Sequence, residues 1–250
     1  MKINGKSTGF FNYAKGVQQG NPLSPRLFNL YINDLLNEMK NEDAVSLDDN
    51  YFFNALMYAD DVIIFATSEQ GMQKCLDKLD EFCNIWKLRI NLKKTKCMTF
   101  SKGTNTKKVN FTSNSKLIEN TKEYRYLGIT INCKDCSFTP TLSDLSGKAN
   151  RAMYALLSKM PIHLAPIKIM LKLFDICIVP ILLYGSEVWA PFMNHGNNWD
   201  TSPIEQIHTQ FLKRILGVNR STTNVMVGSE MGRHSAKTYI NKKHKLHKIC

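Results

Sequence analysis

The segment ALMYADDVIIFA, residues 55–66, places two apolar runs around the adjacent pair Asp60 and Asp61. Apolar runs of this length around turn-forming residues predict a strand, a turn and a second strand between Phe52 and Ala66, buried on both faces. Adjacent carboxylates at such a buried turn repel each other and lose solvation, and a bound divalent cation such as Mg²⁺ offsets that cost. Aspartate is also a common turn former, so the pair alone is equally consistent with a plain hairpin tip.

A second motif, GVQQGNPLSP at residues 16–25, lies directly before a predicted helix. Its glycines allow the backbone to approach a ligand closely, and a helix start presents free N–H groups to a phosphate or a template. A loop in which proline and serine begin a helix is the alternative interpretation. Because the two motifs occur together and in this order, a functional interpretation of both is favoured. The helix is predicted over Leu23–Met39 from the apolar positions Leu27, Leu30, Tyr31, Leu35 and Met39.

Capping residues and apolar periodicity predict the elements that follow the acidic pair. Ser68 can cap a helix, and short strands are expected at Lys96–Lys102, at Tyr124–Ile131 and around Phe138. The apolar stripe of the capped helix consists of Met72, Leu76, Leu79, Phe82, Cys83 and Trp86.

The second half of the chain is predicted to be helical. A long amphipathic helix runs from about Leu142 to Lys159, and Pro166 is well placed to begin the next one, which ends near Val179-Pro180. A linker is expected at Pro191–Ser202, followed by a helix that a Ser202–Glu205 capping box begins and Gly217 ends. The predicted fold class is therefore α+β up to about residue 140 and all-helical beyond it.

The composition favours an intracellular protein with a polyanionic partner. The 250 residues carry a formal net charge of +12, from 33 Lys and Arg against 21 Asp and Glu. Such an excess suits nucleic acid, because each neutralised phosphate releases condensed counterions. The seven scattered cysteines and the N-terminal MKINGKSTGFF, which lacks a secretory pattern, predict free thiols in the nucleus or cytoplasm. Charged residues interrupt the apolar stretch Ile167–Tyr184, which favours a buried helix over a membrane span.

Six segments, in one order, resemble the reverse transcriptases of non-LTR (LINE-like) retrotransposons. They are GVQQGNPLSPRLFNLYINDL, YADDVIIFA, LRINLKKTKCMTF, YRYLGITI, LLYGSEVW and FLKRILGVNRST. The resemblance implies a partial polymerase palm, an antiparallel sheet with helices, over residues 1–140. It further implies thumb helices over residues 141–190, and a linker with a basic C-terminal helical region over residues 191–250.

The resemblance also implies roles for residues of the two upstream motifs. Asp60 would be a metal ligand at the polymerase centre, with Asp61 beside it as a second carboxylate, and two Mg²⁺ ions act in the intact family. Tyr58 would lie under the primer terminus. Contacts with the incoming nucleotide or the template would come from Gln19, Gly20 and Ser24.

Two later segments carry further implied roles. Lys94 aligns with a lysine that protonates or neutralises the leaving pyrophosphate, a role that suits a cation near developing charge. Lys93 and Lys96 remain alternatives, because any of the three could simply be solvated. Leu127 and Gly128 would hold the primer strand, although a Leu-Gly strand corner is also ordinary core geometry.

The implied reaction is DNA synthesis from a primer 3′-OH on an RNA template, with deoxynucleoside triphosphates as substrates and no membrane partner. The family has another catalytic aspartate upstream of the Gln-Gly segment, and residues 1–15 contain no aspartate. Asp34 and Asp48-Asp49 fall on a predicted helix and a loop, so neither is a good substitute. The chain is therefore expected to be a catalytically incomplete polymerase fragment, and a non-catalytic nucleic-acid-binding remnant is the alternative.

Overall fold

The computed structural model describes residues 2–3, 6–7, 16–18, 20–39, 43–46, 51–101, 109–133, 137–160, 165–193 and 199–247, with only the backbone for 2–3, 6–7 and 242–247. Gln19 and Asp48-Asp49 lie outside the described residues. The chain divides into two compact units. The first comprises Met1–Cys97 with Lys107–Asn120, and the second comprises Met98–Thr106 with Thr121–Cys250.

The strands of the described residues are short and pair two by two. They are β1 (Lys2–Ile3), β2 (Lys6–Ser7), β3 (Val45–Ser46), β4 (Phe52–Phe53), β5 (Ala55–Tyr58), β6 (Asp61–Ile64), β7 (Lys96–Cys97), β8 (Thr112–Ser113), β9 (Lys116–Leu117), β10 (Glu119–Asn120), β11 (Glu123–Tyr126) and β12 (Ile129–Asn132). Five pairs are antiparallel hairpin-like pairs, and β7 with β10 is parallel.

The helices of the described residues occupy most of the second unit. They are α1 (Ser24–Ile32), α2 (Leu35–Glu38), α3 (Glu69–Ile85), α4 (Thr139–Lys159), α5 (Ile167–Cys177), α6 (Val179–Leu182), α7 (Ser186–Met193), α8 (Pro203–Leu216), α9 (Asn224–Glu230) and α10 (Ala236–His247), with a short 3-10 helix at Trp199–Thr201. The predicted α+β class is confirmed, because helices and strands are mixed along the chain. The predicted antiparallel sheet takes the form of separate two-stranded pairs.

Helix α3 is the centre of the first unit, and its prediction is confirmed. The Ser68 side chain accepts a hydrogen bond from the Gly71 amide at 2.9 Å, which satisfies one of the free N–H groups at the helix start. Two apolar clusters form along the buried face of the helix. They contain Cys75 and Phe82 with Leu35, Met39 and Ala55, and Leu76 with Phe111 and Ile118.

The continuous helix predicted over Leu23–Met39 is wrong, because the structure has two helices separated at Asn33 and Asp34. Both residues favour turns, since their side chains compete for backbone hydrogen bonds. The burial that the apolar periodicity predicted for this segment is only partly correct. Leu35 and Met39 are buried, whereas Leu27 and Leu30 are exposed.

The hairpin predicted at the acidic pair is present, but its predicted burial on both faces is wrong. Strands β5 and β6 form a two-stranded ribbon, and only one face of it packs on the cluster that contains Ala55. Leu56 and Tyr58, which alternate onto the opposite face, are exposed. Apolar runs indicate burial on both faces only where other elements cover both faces of the sheet, and the exposed Leu56 and Tyr58 show that the second face of this ribbon is not fully covered.

Two other strand predictions need correction. The strand expected at Lys96–Lys102 is limited to Lys96–Cys97, which pairs with Glu119–Asn120. Phe138 lies directly before α4 instead of in a strand, and its ring packs against Phe192 at a centroid distance of 5.2 Å. Aromatic residues are common in strands, but tertiary packing decides their state when the run is this short.

The second unit packs its helices around one large core. Helix α4 contacts α6, α8 and β12, and the fully buried residues of this core include Met153, Phe174, Trp189 and Phe211. The predicted α8 is confirmed at both ends. Ser202 accepts a hydrogen bond from the Glu205 amide at 3.2 Å, and Gly217 ends the helix with a φ of +67°.

The helix predicted to begin at Pro166 and to end near Val179-Pro180 is confirmed as α5, but the burial expected for the stretch Ile167–Tyr184 holds for one face only. The segment contains α5 and α6, which bury one face through residues such as Met170 and Phe174 and expose residues such as Ile169 and Ile176 on the other. Within the described part of the chain, none of the helices has the length and hydropathy that a membrane span requires.

The start predicted for the linker is also wrong, because α7 continues through Pro191 to Met193. Trp199, at the other end of the predicted linker, is buried in the core of the second unit. Residues 194–198, between these points, lie outside the described residues.

Candidate functional site

The acidic pair lies on a tight turn of the first unit. Tyr58 pairs with Asp61, so Ala59 and Asp60 form a two-residue loop between β5 and β6. Ala59 has a φ of +53°, a left-handed conformation at the first loop position that is typical of the primed turns in two-residue hairpins. The sequence prediction of a hairpin turn at this pair is therefore confirmed.

Both aspartates are exposed, and their carboxylates have no hydrogen-bonding or ion-pairing partner among the residues that the structure describes. The expectation that burial removes water from the pair is wrong. Solvent screens the repulsion between two exposed carboxylates, so the turn is compatible with folding in the absence of a ligand. The same exposure leaves the carboxylate oxygens accessible to a cation.

Tyr58 stands at the end of β5 beside this turn. Its side chain is 65% exposed, and Leu56, two residues before it on the same face of the ribbon, is 51% exposed. The hairpin thus carries two large side chains in solvent next to the acidic pair. This arrangement places Tyr58, Asp60 and Asp61 together at one tip.

The segment at residues 16–25 forms a turn that leads into α1. Gly20 has a φ of +84°, a conformation that favours glycine, and no atom lies within 4 Å of the position that a Cβ would take there, so backbone conformation alone explains this glycine. The Ser24 hydroxyl donates a hydrogen bond to the Gln18 carbonyl at 2.6 Å. Ser24 therefore closes the turn, and its predicted contact with a nucleotide or template stays a prediction.

The lysine segment lies between α3 and β7. Lys94 is exposed, and its backbone amide donates to the Asn91 carbonyl at 3.0 Å in the turn before the strand. The neighbouring Lys96 forms an ion pair with Glu119 on the paired strand β10. The roles of Lys93, Lys94 and Lys96 at a leaving pyrophosphate stay predictions.

The Leu127-Gly128 turn joins β11 and β12 in the second unit. Tyr126 pairs with Ile129, and both loop residues have positive φ values, +46° at Leu127 and +83° at Gly128, as a type I′ turn requires. Leucine is unusual in this conformation, which costs of the order of 1–2 kcal/mol for a residue with a Cβ. Contacts from outside the hairpin can offset this cost.

Tyr184, which follows α6, provides such contacts. Its hydroxyl donates a hydrogen bond to the Leu127 carbonyl at 2.8 Å. A Cβ added at Gly128 would lie 2.9 Å from the Tyr184 ring, so the ring and the turn are in close contact. The Trp189 indole N–H in turn donates to the Tyr184 carbonyl at 2.9 Å, and the Trp189 side chain is fully buried.

The predicted site residues come from several segments of the chain. Tyr58, Asp60 and Asp61 share a turn, whereas Ser24 and Lys94 belong to separate segments of the same unit. Leu127 and Gly128 belong to the second unit. Within the described ranges, no three His, Cys, Asp or Glu side chains are grouped so that they could hold a metal ion.

Residues 1–131 match the family model described as "Reverse transcriptase (RNA-dependent DNA polymerase)". The chain belongs to the reverse transcriptase family. The matched residues span both motifs, the lysine segment and the turn at Leu127-Gly128, so every predicted site residue lies inside the match.

Proteins of mobile elements are among the relatives. The chain is 36% identical to the Pol polyprotein of the type-2 retrotransposable element R2DM of Drosophila melanogaster. The alignment spans 135 residues, which are 50% of the chain. It is 25% identical over 231 residues, 87% of the chain, to the RNA-directed DNA polymerase from the mobile element jockey of the same organism. The predicted resemblance to non-LTR retrotransposon reverse transcriptases is confirmed.

The aligned parts of the chain span 12% of the R2DM polyprotein and 23% of the jockey polymerase. A transposon-derived protein of Caenorhabditis elegans is 28% identical over 168 residues, which are 65% of the chain and 56% of that protein. These matches therefore concern a small portion of the long mobile-element proteins.

Sequence reasoning missed Tyr184. The segment LLYGSEVW resembles the family, but the resemblance implies no role for any single residue of it. The available signal was a tyrosine directly followed by a glycine, and Gly185 does adopt a positive φ of +64°. Its partner Leu127 lies 57 residues away, a separation that periodicity and local motifs cannot bridge.

Proposed function

We propose that this chain is part of an RNA-directed DNA polymerase of a non-LTR retrotransposon, which extends a DNA primer with deoxynucleoside triphosphates on an RNA template inside the cell. The observation that carries the proposal is the exposed acidic pair on a two-residue turn, within the part of the chain that matches the reverse transcriptase family. The net charge of +12 is consistent with a nucleic-acid partner.

Asp60 and Asp61 are the residues that would hold Mg²⁺. Their donor set fits, because Mg²⁺ prefers carboxylate oxygens and these carboxylates have no competing partner among the described residues. In nucleotidyl transfer, a pair of such ions stabilises the charge on the attacking and leaving oxygens. Tyr58 adjoins the pair and presents an exposed ring, which suits a contact with the primer terminus.

The turn at residues 16–25 is proposed to contact the incoming nucleotide or the template. Gly20 is exposed and glycine-specific in conformation, which leaves backbone accessible to a ligand. Gln19 is proposed for the same contact, and Ser24 supports the turn through its bond to Gln18. Lys94, with Lys93 or Lys96 as the alternative, is proposed to neutralise the leaving pyrophosphate.

The domain plan of the proposal has a partial palm at residues 1–140, thumb helices at 141–190, and a linker with a basic helical region at 191–250. Leu127 and Gly128 would hold the primer strand. Their turn lies in a rigidly supported hairpin, which suits a residue pair that must keep a strand in place.

These 250 residues are proposed to be inactive by themselves. A two-ion centre needs carboxylates from more than one structural element, and the acidic pair comes from a single turn. Among the described residues, no third His, Cys, Asp or Glu side chain joins the pair in a metal-binding group, which supports the proposed inactivity. A further carboxylate would complete the centre.

The proposal is tested by binding of the incoming nucleotide, which does not require turnover. With Mg²⁺ and a primer–template present, a nucleotide that matches the template should bind more tightly than a mismatched one. Asp60→Asn should abolish this difference, and primer extension should be absent in both proteins. Asp34→Asn, which removes an exposed carboxylate of the same unit, is the matched control and should preserve the difference. Equal binding of matched and mismatched nucleotides by the wild type would refute the proposal.

A second candidate function is nucleic-acid binding without catalysis. The excess of 12 positive charges favours it, together with the lack of a three-ligand metal group in the described part of the chain. This function predicts salt-dependent binding to a primer–template that neither Mg²⁺ nor Asp60→Asn affects. The nucleotide experiment therefore separates the two candidates.

A further inference from the structure

We propose that Tyr184 is a positioning residue that holds the primer-binding turn at Leu127 and Gly128 in its type I′ conformation. The inference rests on the proposed function, because it concerns the primer role of that turn. Tyr184 belongs to the segment LLYGSEVW, to which neither the family resemblance nor the predicted site assigned a task.

The first support is the contact between the tyrosine and the turn. The hydroxyl of Tyr184 donates to the Leu127 carbonyl at 2.8 Å, so the tyrosine is bonded to the loop residue whose conformation is unfavourable. The net stabilisation from such a bond is comparable in size to the cost of the positive φ. The hydrogen bond can therefore decide whether Leu127 keeps this conformation.

The second support is the fit of the ring against the glycine. A Cβ at Gly128 would lie 2.9 Å from Cε1 and 3.3 Å from the hydroxyl oxygen of Tyr184, closer than ordinary packing permits. The tyrosine thus occupies the space that a side chain would need, and glycine is required both for its φ of +83° and for this contact.

The third support is that the tyrosine itself is held in place. Its carbonyl accepts the Trp189 indole N–H at 2.9 Å, and Trp189 is fully buried in the core. Gly185 packs so closely on the hairpin that an added Cβ would lie 2.5 Å from Cδ1 of Ile129. Tyr184 therefore transfers the rigidity of the helical core to the turn.

The arrangement also leaves the turn available to a strand of nucleic acid. Leu127 is 39% exposed and Tyr184 is 50% exposed, so solvent reaches the outer side of both. A primer that contacts Leu127 and Gly128 would meet a preorganised surface, and preorganisation raises affinity by reducing the entropy lost on binding. Loss of the tyrosine should therefore weaken primer binding specifically.

The test compares Tyr184→Ala, Tyr184→Phe and the control Tyr154→Phe in the 250-residue chain. Tyr154 is a partly exposed tyrosine of the same unit, and its hydroxyl accepts a hydrogen bond from Arg214 at 2.6 Å. Two quantities are measured for each protein. They are the NMR order parameters of the Leu127 and Gly128 amides, and the Kd for a recessed primer–template relative to the Kd for single-stranded RNA of equal length.

We expect Tyr184→Ala to lower the order parameters of the turn from about 0.85 to below about 0.6. The relative Kd for the primer–template should rise about tenfold in Tyr184→Ala and about threefold in Tyr184→Phe, because phenylalanine keeps the ring contact and loses only the hydroxyl. Binding of single-stranded RNA should not change. Tyr154→Phe should leave both quantities at the wild-type values.

Three outcomes would overturn the inference, and they are distinguishable. A turn that stays rigid in Tyr184→Ala shows that the tyrosine does not hold it. A mobile turn with an unchanged relative Kd shows that the primer does not depend on its position. A wild-type chain that does not prefer the recessed primer–template contradicts the proposed function itself, and this result appears before any variant is compared.

Discussion

The two central hairpins of this protein have the same local form and different surroundings. In each, two four-residue strands are joined by a two-residue loop whose first residue is not glycine and has a positive φ, Ala59 in one and Leu127 in the other. The hairpin at Leu127 is supported by Thr141 of α4 and by Tyr184 of the turn between α6 and α7. The hairpin at Ala59 presents unpartnered carboxylates and exposed large side chains among the described residues.

The difference agrees with the two tasks proposed for these turns. A loop that must hold a strand of nucleic acid gains from rigid support by its own fold. A loop that must hold metal ions keeps its charged groups free of protein partners, so that the ligand satisfies them. In chain order, the hairpin at Ala59 is the first and the hairpin at Leu127 is the second. We therefore expect substitutions around the second hairpin to affect stability most, and substitutions at the first hairpin to affect ligand binding.

The largest expected effect comes from the support of the second hairpin. Trp189→Ala should lower the free energy of unfolding by about 3–5 kcal/mol, because a large buried side chain leaves a cavity and Tyr184 loses its indole partner. Phe192→Ala on the same helix is the control, since Phe192 is 60% exposed, and should cost less than about 1 kcal/mol. Urea denaturation measures both values. Equal losses of stability in the two variants would show that the buried Trp189 gives the second hairpin no particular support.

A smaller effect is expected from the link between the second hairpin and α4. Thr141 is buried, and its hydroxyl accepts from the Thr130 amide at 2.8 Å and donates to the Thr130 carbonyl at 3.0 Å. Thr141→Val should cost about 2 kcal/mol, because both backbone groups of Thr130 lose their partner. Thr141→Ser keeps the hydroxyl and should recover part of the loss. If the Thr141→Val and Thr141→Ser proteins unfold at the same urea concentration, the hydroxyl link has no stabilising role.

The smallest effect concerns Asp144, which lies on α4 and pairs with Arg125 on β11. The hydrogen bond from Lys148 lowers the pKa of Asp144 most, and the charge of Arg125 lowers it further. A pKa lowered by folding contributes stability above the unfolded-state pKa and loses it as the pH falls through the folded-state value. The partial exposure of this group limits the contribution at neutral pH to less than about 1 kcal/mol.

Asp144→Asn should therefore be slightly less stable than the wild type at neutral pH and should approach it as the solution becomes acidic. Thermal unfolding across this pH range measures the difference. Lys148→Gln removes the hydrogen-bond donor and should reduce the same difference. A gap between Asp144→Asn and the wild type that widens on acidification would contradict the assigned direction of the pKa shift.

Local signals in the sequence predicted local structure correctly. The acidic pair lies at a hairpin turn, Ser68 and Ser202 cap their helices, and Gly217 ends α8 in the left-handed conformation. Each of these features depends on a few neighbouring residues, whose steric and hydrogen-bonding preferences are fixed by residue type. This is why short motifs were sufficient.

The sequence was least informative where distant contacts decide the structure. The apolar run around Met57 predicts burial on both faces of the ribbon. Burial depends on which elements cover the ribbon, and one face is exposed. Pro191 reads as the start of a linker, but helix α7 tolerates it. The contact of Tyr184 with Leu127 had no local signal, because it joins residues far apart in the chain.

Paramagnetic relaxation by Mn²⁺ tests whether Asp60 and Asp61 form the proposed cation-binding turn. Mn²⁺ should broaden the amide signals of Ala59–Val62 first, excess Mg²⁺ should reverse the broadening, and the double variant Asp60→Asn/Asp61→Asn should abolish it. Asp34→Asn should leave the broadening unchanged. If the broadening of these amides persists in the double variant, or is absent from the wild-type turn, the two aspartates do not bind the cation.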